Sequence, residues 1–315
     1  MVLALVVVVA CLHAVAGLLV AAAEPQWPMI VGFAGVAYTL GMRHGFDADH
    51  IVAIDGTTRQ LLARNRSANG VGFYFSLGHS TVVLLLVLWL ARATEPARAS
   101  SWPLLRALGG QIGLATSSAF MLVMAVLNAL IVRDTLRAMR GGRGAPTTSP
   151  GGPMARLFGR VLRLVRRAPE MYVIGFLFGL SFDTASEIAL LAIAASAAAH
   201  ALPLRAVLVL PLSFAAGMAL VDTAEGMFML RAYAWAQREP ARRARYNLVV
   251  TGLTAVAATV IAALELSGAA GLATIGSTSF ATVGLAVVTA FPLIWLCAAL
   301  YARLRTMRAP SEGKP

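Results

Sequence analysis

The amino-acid sequence predicts an all-α integral membrane protein with eight transmembrane helices in two four-helix halves. Of its 315 residues, 59% are hydrophobic and 13% are charged, and the mean hydropathy is +0.77. A soluble domain has about 25% charged residues. In addition, eight apolar segments reach the roughly 20 residues that a helix needs to cross a bilayer. We therefore expect a single polytopic membrane domain over residues 1–315.

The first apolar segment is expected to be a retained helix rather than a signal peptide. It is longer than the 7–15 apolar residues typical of a signal peptide, and no basic residue precedes it. A linker rich in Gly and Pro lies in the loop at 133–170, and this loop divides the chain into its two halves. The eight segments run approximately over 2–23, 29–56, 71–91, 107–132, 171–198, 203–230, 246–267 and 278–302.

The distribution of basic residues predicts the orientation. Alternate loops place 21 Lys and Arg residues on one side of the membrane and four on the other. By the positive-inside rule, both termini and the loop at 133–170 are cytoplasmic. The net charge of +12 is therefore a topology signal, and the bilayer rather than a nucleic acid is the expected partner. The scarcity of Lys beside abundant Ala, Arg and Gly favours a GC-rich bacterium, so we expect a bacterial cytoplasmic membrane.

The second segment carries an unusual number of ionisable groups, and its residues 41–58 read GMRHGFDADHIVAIDGTT. A central Asp or Arg in a membrane helix costs about 2.5–3.5 kcal/mol, so such residues are usually functional. Arg43 precedes Asp47 by four residues and is the expected counter-ion of that carboxylate. Imidazole and carboxylate groups together are suitable ligands for a divalent transition metal.

The spacing within this segment predicts how the ligands are arranged. On an ideal helix His44, Asp47 and His50 follow one another at intervals of three and form one stripe. Asp49 points away from that stripe. It then either fixes a histidine tautomer from behind or joins the other three through a distortion of the helix near Gly45.

Three further segments carry candidate metal residues. His79 lies in the third, Asp183 and Glu187 share a face of the fifth at i, i+4, and Asp222 and Glu225 share a face of the sixth at i, i+3. Same-face carboxylates in a membrane repel one another unless a proton or a metal lies between them. Because the second and fifth segments cross in opposite directions, the motifs of segments 2–3 and 5–6 suggest an inverted repeat.

The remaining polar residues within the spans have less specific interpretations. Asp55 is expected to cap the cytoplasmic end of the second span, and Glu265 to reach interfacial water. His13 is interpreted as a packing donor and His200 as a loop residue. The acidic residues of the spans outnumber the basic ones, which favours a cation as the transported partner.

Several classes of protein are disfavoured by missing motifs. Cys11 and Cys297 are far apart in sequence, so a thiolate metal site is not expected. The sequence has neither a phosphate-binding loop nor a dinucleotide fingerprint, and it lacks the His-Glu-x-x-His motif of metalloproteases. We therefore expect a protein that is not an enzyme and that has no resident cofactor.

The polar motifs resemble those of the nickel/cobalt transporter family (NiCoT). His44-x4-Asp49-His50 is similar to that family's signature, and the stretches at 78–83, 182–188 and 217–226 are similar to its other motifs. The resemblance implies a single-component permease that takes up Ni²⁺ or Co²⁺ and recognises it through the second-span residues. The candidate metal residues are His44, Asp47, Asp49, His50, His79, Asp183, Glu187, Asp222 and Glu225.

The sequence leaves alternatives open. Gly45, Gly56, Ser186 and Glu225 depart mildly from the family pattern. An efflux permease for the same ions is the nearest competitor, although the loop at 133–170 lacks the histidines that would favour export. An intramembrane metalloenzyme and a proton-conducting or structural membrane subunit are weaker alternatives. The preference between Ni²⁺ and Co²⁺, the energy coupling and the oligomeric state do not follow from the sequence.

Overall fold

The computed structural model is helical throughout the residues that it describes, with no strand among them. These are residues 2–92, 95–140, 165–180, 185–199, 202–236 and 240–269, with separate positions between 282 and 300. Most of the expected eighth span lies outside them. The helices are α1 (Val2–Ala23), α2 (Met29–Gly45), α3 (Ala48–Ala63), α4 (Val71–Arg92), α5 (Glu95–Arg140), α6 (Met171–Phe178), α7 (Ala185–Ala199), α8 (Leu204–Val207), α9 (Val209–Ala236) and α10 (Pro240–Ala269), with a 3₁₀ turn at Ala168–Glu170.

Five helical segments of the described chain are long and apolar enough to cross a membrane. They correspond to the expected first, third, fourth, sixth and seventh spans, which confirms a multi-pass α-helical membrane protein. The expected second span is divided between α2 and α3, and the expected fifth between α6 and α7. The five segments are Val2–Ala23, Val71–Arg92, Gly110–Arg137, Leu204–Ala236 and Leu248–Ser267.

Several helices extend beyond the ends that hydropathy predicts. Helix α5 has 46 residues, so Arg98, Arg106 and residues 133–140 belong to it rather than to loops. Arg59, expected in a loop, lies inside α3. Hydropathy detects the apolar middle of a helix, whereas the backbone hydrogen bonds continue into its polar ends. The predicted boundaries were therefore too narrow at these positions.

The segment expected to form the second span is interrupted at Phe46 and Asp47. Helix α2 ends at Gly45, where Phe46 N–H and Asp47 N–H close a tight turn onto the carbonyls of Arg43 and His44. Asp47 is extended (φ −69°, ψ 143°) and precedes α3 in the position of an N-cap. Asp is a favoured N-cap residue, yet its side chain makes no capping bond here. The single helical stripe expected for His44, Asp47 and His50 was therefore wrong, and a break of the helix near Gly45 replaces it.

Close helix pairs hold α2 and α6 in place. Helix α2 packs along α9, and α4 packs along both α6 and α9. A Cβ on Gly41 of α2 would overlap the backbone carbonyl of Phe214, and one on Gly78 of α4 would overlap that of Tyr172. Only glycine allows backbones to approach this closely, as is common between membrane helices.

Replacing Gly41 with Ala is therefore expected to destabilise the protein, although alanine is the better helix former. The new methyl group meets backbone that cannot rotate away, so α2 and α9 must separate at an expected cost of about 1–3 kcal/mol. Gly35→Ala in the same helix is the matched control, because no atom lies within 4 Å of a Cβ built there. Thermal unfolding of both variants in detergent is the measurement. Equal midpoints would contradict the close packing of α2 on α9.

Candidate metal site

Three buried histidines from three helices meet beside the interruption of the second span. His44 lies at the end of α2, His50 in the first turn of α3 and His79 in α4. Their exposed fractions are 1%, 0% and 3%. One nitrogen from each ring lies within 4.8 Å of the other two. The centroid of the His44 ring lies 4.6 Å from that of the His50 ring and 4.7 Å from that of the His79 ring.

Asp47 orients the first of these rings. His44 Nδ1–H donates to Asp47 Oδ2 at 2.9 Å, which leaves the Nε2 lone pair of His44 directed at the other two rings. The carboxylate of Asp47 therefore binds the imidazole of His44 and does not cap α3. A carboxylate in this position fixes the tautomer and increases the basicity of the other nitrogen. Asp47 thus lies behind His44 rather than on its open side.

Asp222 of α9 holds the second ring in the same way. His50 Nδ1–H donates to Asp222 Oδ1 at 3.3 Å. The ring also meets Phe75 edge to face, with centroids 4.8 Å apart. His50 Nε2 is buried and has no hydrogen-bond partner among the described residues. A buried nitrogen with a free lone pair and a fixed ring is a suitable metal ligand.

Glu187 connects the third histidine to α7, which follows the loop at 133–170 in the chain. His79 Nε2 lies 2.8 Å from Glu187 Oε1 and 2.9 Å from His44 Nε2. These three atoms therefore share a hydrogen, because two nitrogens at this distance need one between them. Glu187 lies in the first turn of α7, so the site draws on both halves of the chain.

The other candidate metal residues are placed less uniformly. Asp49 lies in the first turn of α3, next to His50. Both carboxylate oxygens of Glu225 are buried and have no hydrogen-bond partner among the described residues. Asp183 lies outside the described residues, so its pairing with Glu187 stays a prediction. Within the described chain, the cluster brings together His44, His50 and His79 with Asp47, Asp222 and Glu187 around them.

The expected pairing of Arg43 with Asp47 was wrong. Arg43 Nη1 donates instead to Ser186 Oγ at 2.6 Å, and Asp47 is engaged by His44. The bond between Arg43 and Ser186 connects the end of α2 to the start of α7, and Ser186 directly precedes Glu187. The i, i+4 spacing assumed a continuous helix, and the interruption at Phe46 turns the two side chains apart.

Asp55 and Glu265 are also buried and bonded rather than exposed at helix ends. Asp55, in the middle of α3, pairs with Arg59 at 3.0 Å instead of capping the helix. Glu265 accepts hydrogen bonds from Ser117 at 2.6 Å and Ser118 at 2.7 Å, so it joins α10 to α5 rather than reaching interfacial water.

The sequence interpretation missed Arg59, although it follows Asp55 at i, i+4, the spacing typical of a helical ion pair. His13 confirms its expected packing role, because its ring bonds the carbonyl of Val9 at 2.8 Å and Tyr38 Oη at 3.2 Å. His200 lies outside the described residues.

The histidine cluster has the composition of a site for a borderline divalent metal. Metal–nitrogen bonds of about 2 Å place two nitrogens on one ion about 3–4 Å apart. The limit of 4.8 Å between the histidine nitrogens is therefore slightly wider than a closed site. Imidazole with carboxylate is a ligand set suited to nickel, cobalt or zinc, whereas Cu(I) favours thiolates and thioethers.

Comparison with known proteins identifies the family. A family model described as "High-affinity nickel-transport protein" matches residues 30–301. The chain belongs to this family of nickel transporters. It is 40% identical to the "Nickel transporter NicT" of Mycobacterium tuberculosis, over 90% of this chain and 82% of the relative. It is also 41% identical to the "Cobalt transport protein NhlF" of Rhodococcus rhodochrous, over 89% and 85% of the two chains.

A third relative is "High-affinity nickel-transport protein NixA" of Helicobacter pylori, which is 42% identical over 74% of this chain and 73% of the relative. No solved structure matches the chain. The resemblance inferred from the motifs is therefore confirmed, and the family and its relatives are named as transporters rather than enzymes.

Asp47→Asn tests whether the carboxylate behind His44 supports metal binding. The amide oxygen still accepts the Nδ1–H bond but carries no charge, so we expect the affinity for Ni²⁺ to fall about tenfold. Asp47→Ala, which also removes the acceptor, is expected to lose up to about 100-fold. Titration calorimetry in detergent measures both. Asp134→Asn, at an exposed pair with Arg133, is the matched control, and an unchanged affinity in Asp47→Ala would contradict this role.

Proposed function

We propose that this protein is a secondary transporter that imports Ni²⁺ or Co²⁺ across the cytoplasmic membrane through the buried histidine cluster. The observation that carries the proposal is the convergence of His44, His50 and His79 beside an interrupted membrane span, in a chain that belongs to a nickel-transporter family. Similar relatives are named for nickel and for cobalt, so both ions are proposed as cargo. The ion is the substrate, and no resident cofactor is part of the proposal.

Charge balance supports a divalent cation as the substrate. The carboxylates of Asp47, Asp222 and Glu187 surround the three imidazoles, and Arg43 is turned away to Ser186. An ion between His44 Nε2, His50 Nε2 and His79 Nε2 takes the position of the hydrogen now shared by His44, His79 and Glu187. Binding therefore requires that hydrogen to move, and His79 Nδ1, buried without a partner among the described residues, is the nitrogen that can take it.

The proposed path continues from the cluster through the neighbouring carboxylates. Asp49 and Asp222 lie next to His50, and the unpartnered oxygens of Glu225 follow one turn farther along α9. Asp183 is proposed to supply a further ligand from the second interrupted span. Inward movement of two charges gains about 4.6 kcal/mol per 100 mV of membrane potential, at about 2.3 kcal/mol per charge, so the potential alone can drive uptake.

The proposed topology has eight spans, with both termini and the loop at 133–170 in the cytoplasm. The second and fifth spans are the interrupted ones, as in secondary transporters that bind their substrate at discontinuous helices. Each interruption would expose backbone polar groups in the bilayer, and such groups are tolerated where protein surrounds them. A single membrane domain over 1–315 is part of this proposal.

An inverted repeat is supported by the way in which the helices pair. Helix α2 of span 2 packs on α9 of span 6, and α6 of span 5 packs on α4 of span 3. Likewise, α3 of span 2 contacts α10 of span 7, and α6 of span 5 contacts α5 of span 4. If spans 2, 3 and 4 are exchanged for spans 5, 6 and 7, the contact of span 2 with span 6 becomes that of span 5 with span 3. In the same way, the contact of span 2 with span 7 becomes that of span 5 with span 4. We propose three spans as the repeating unit inside the two halves, because an odd number of crossings reverses the direction of the chain.

Uptake by cells tests the transport proposal directly. We expect cells that express the wild-type chain to accumulate ⁶³Ni²⁺ or ⁵⁷Co²⁺ above empty-vector cells, and His50→Ala to abolish the difference. Loss of one of three imidazole ligands from a fixed site removes most of its affinity. His13→Ala is the matched control, because this histidine bonds Tyr38 and takes no part in the cluster.

The direction of transport follows from the same measurement, provided that membrane expression of the variants is equal. Accumulation below that of empty-vector cells, restored by His50→Ala, would establish export and overturn the proposed import. No metal-dependent difference in either direction would overturn the transport proposal. An equal loss in His13→Ala and His50→Ala would contradict the assignment of the cluster as the site.

A further inference from the structure

A second buried polar network lies beyond the histidine cluster and is not used by it. Asp55 of α3 accepts hydrogen bonds from Arg59 Nη2 at 3.0 Å, from Tyr233 Oη at 2.5 Å and from Thr254 Oγ1 at 2.8 Å. Arg59 Nη1 also donates to Thr251 Oγ1. Asp55 is fully buried and Arg59 is 8% exposed. The network therefore joins α3, α9 and α10 around one ion pair.

The network lies farther along the same two helices that hold the site. On α3, Asp55 follows His50 by five residues, or about 7.5 Å at 1.5 Å per residue. On α9, Tyr233 follows Asp222, the partner of His50, and reaches back to Asp55. Both helices lead away from the cluster in the same direction. In the proposed topology this is the direction of the cytoplasm.

Unpartnered polar groups follow the two helices from the cluster to the network, and Thr58 lies beside Arg59 itself. Both oxygens of Glu225, and the hydroxyls of Thr223 and Thr58, are buried without a hydrogen-bond partner among the described residues. Glu225 follows Asp222 by one turn of α9, and its ionisable neighbours are Asp222 and Asp55. Buried polar groups are almost always bonded, so a run of unsatisfied ones indicates a path for a polar species. This path ends at the Asp55–Arg59 pair.

We propose that Arg59 is a tethered cation that closes the cytoplasmic end of the transport path by occupying Asp55. This inference rests on the proposed function, since it assigns a gate to the same path. The guanidinium takes the place at the carboxylate that a divalent cation would take. Cargo that reaches Asp55 competes with Arg59 for the carboxylate, displaces it and releases α3 from Thr251 and Thr254. After the ion leaves, Arg59 returns to Asp55 and closes the path.

The chemistry of the pair suits a gate better than a permanent brace. A buried ion pair contributes little net stability, because desolvation of the charges offsets their attraction. A pair that can be exchanged against a cation instead gives two states of similar free energy. Tyr233 and Thr254 donate to Asp55, and Thr251 accepts from Arg59. These bonds stabilise the closed state, and all three residues lie on helices other than α3.

The experiment measures access to Thr58, a buried residue of α3 next to Arg59. Thr58→Cys is placed in a background with Cys11→Ser and Cys297→Ser, since both native cysteines are exposed. Inside-out vesicles are treated with a membrane-impermeant cationic methanethiosulfonate, which reaches the cytoplasmic face. We expect slow labelling of this parent, and roughly tenfold faster labelling after Arg59→Gln, because removal of a buried charged hydrogen bond favours the open state by at least that factor.

Arg205→Gln is the matched control, because Arg205 is bonded to Gln26 and lies over Trp27, far from the network. Tyr233→Phe removes one donor to Asp55 and is the second test variant, in case Arg59→Gln does not fold. Arg59→Lys keeps the charge and is expected to restore part of the protection. Ni²⁺ inside the vesicles, on the extracellular face, is expected to speed labelling of the parent. The labelling rate of Arg59→Gln with and without Ni²⁺ shows whether the metal itself shields the thiol.

The gate and the transport proposal fail in different ways. If the parent transports ⁶³Ni²⁺ in cells but labels equally in Arg59→Gln, Tyr233→Phe and Arg205→Gln, the gate is overturned and import stands. The gate is supported if Arg59→Gln and Tyr233→Phe label fast while the parent and Arg205→Gln label slowly. If the wild-type chain transports neither metal, the proposed function fails together with the inference that rests on it.

Discussion

The interruption of the helix at Phe46 and Asp47, between α2 and α3, is the constraint on which the rest of the structure depends. Where a helix is broken inside the bilayer, backbone polar groups lose their regular partners and cannot turn to lipid. They must be surrounded by protein, which requires other helices to come very close. The glycine contacts of α2 with α9 and of α4 with α6 meet this requirement. The same interruption frees His44 and His50 from a common stripe and lets their rings face each other.

The histidine cluster shows how charge is kept in an apolar environment without a resident counter-ion. Each of the three rings has a carboxylate beside it, from Asp47, Asp222 or Glu187. The carboxylates come from the turn after α2, from α9 and from α7. They set the tautomers of the imidazoles and supply negative charge, while nitrogen lone pairs remain available for a metal. This arrangement supports the proposal that the cluster binds a dication.

The Asp55–Arg59 network complements the cluster, because it contains the fixed cation that the cluster lacks. Helix α3 carries His50 of the cluster in its first turn, and farther along it carries Asp55, whose charge is neutralised by Arg59. Between them lie the unpartnered oxygens of Glu225. In the proposed path, a cation advances by exchange from one carboxylate to the next and displaces Arg59 at the last of them. Both ends of this proposed path lie on α3, which carries His50 and Asp55.

The sequence by itself determined the membrane class, the family and the residues His44, His50 and His79, because hydropathy and motif spacing depend on local chemistry. It also anticipated a distortion near Gly45. The tertiary structure alone decided that Asp47 lies behind His44, that Asp222 from a distant helix holds His50, and that Arg43 bonds Ser186. It also decided that Arg59 and Glu265 are buried partners rather than surface charges. The physical reason is that spacing along a helix predicts neighbours only while the helix continues, and partners from other helices depend on packing that no local pattern records.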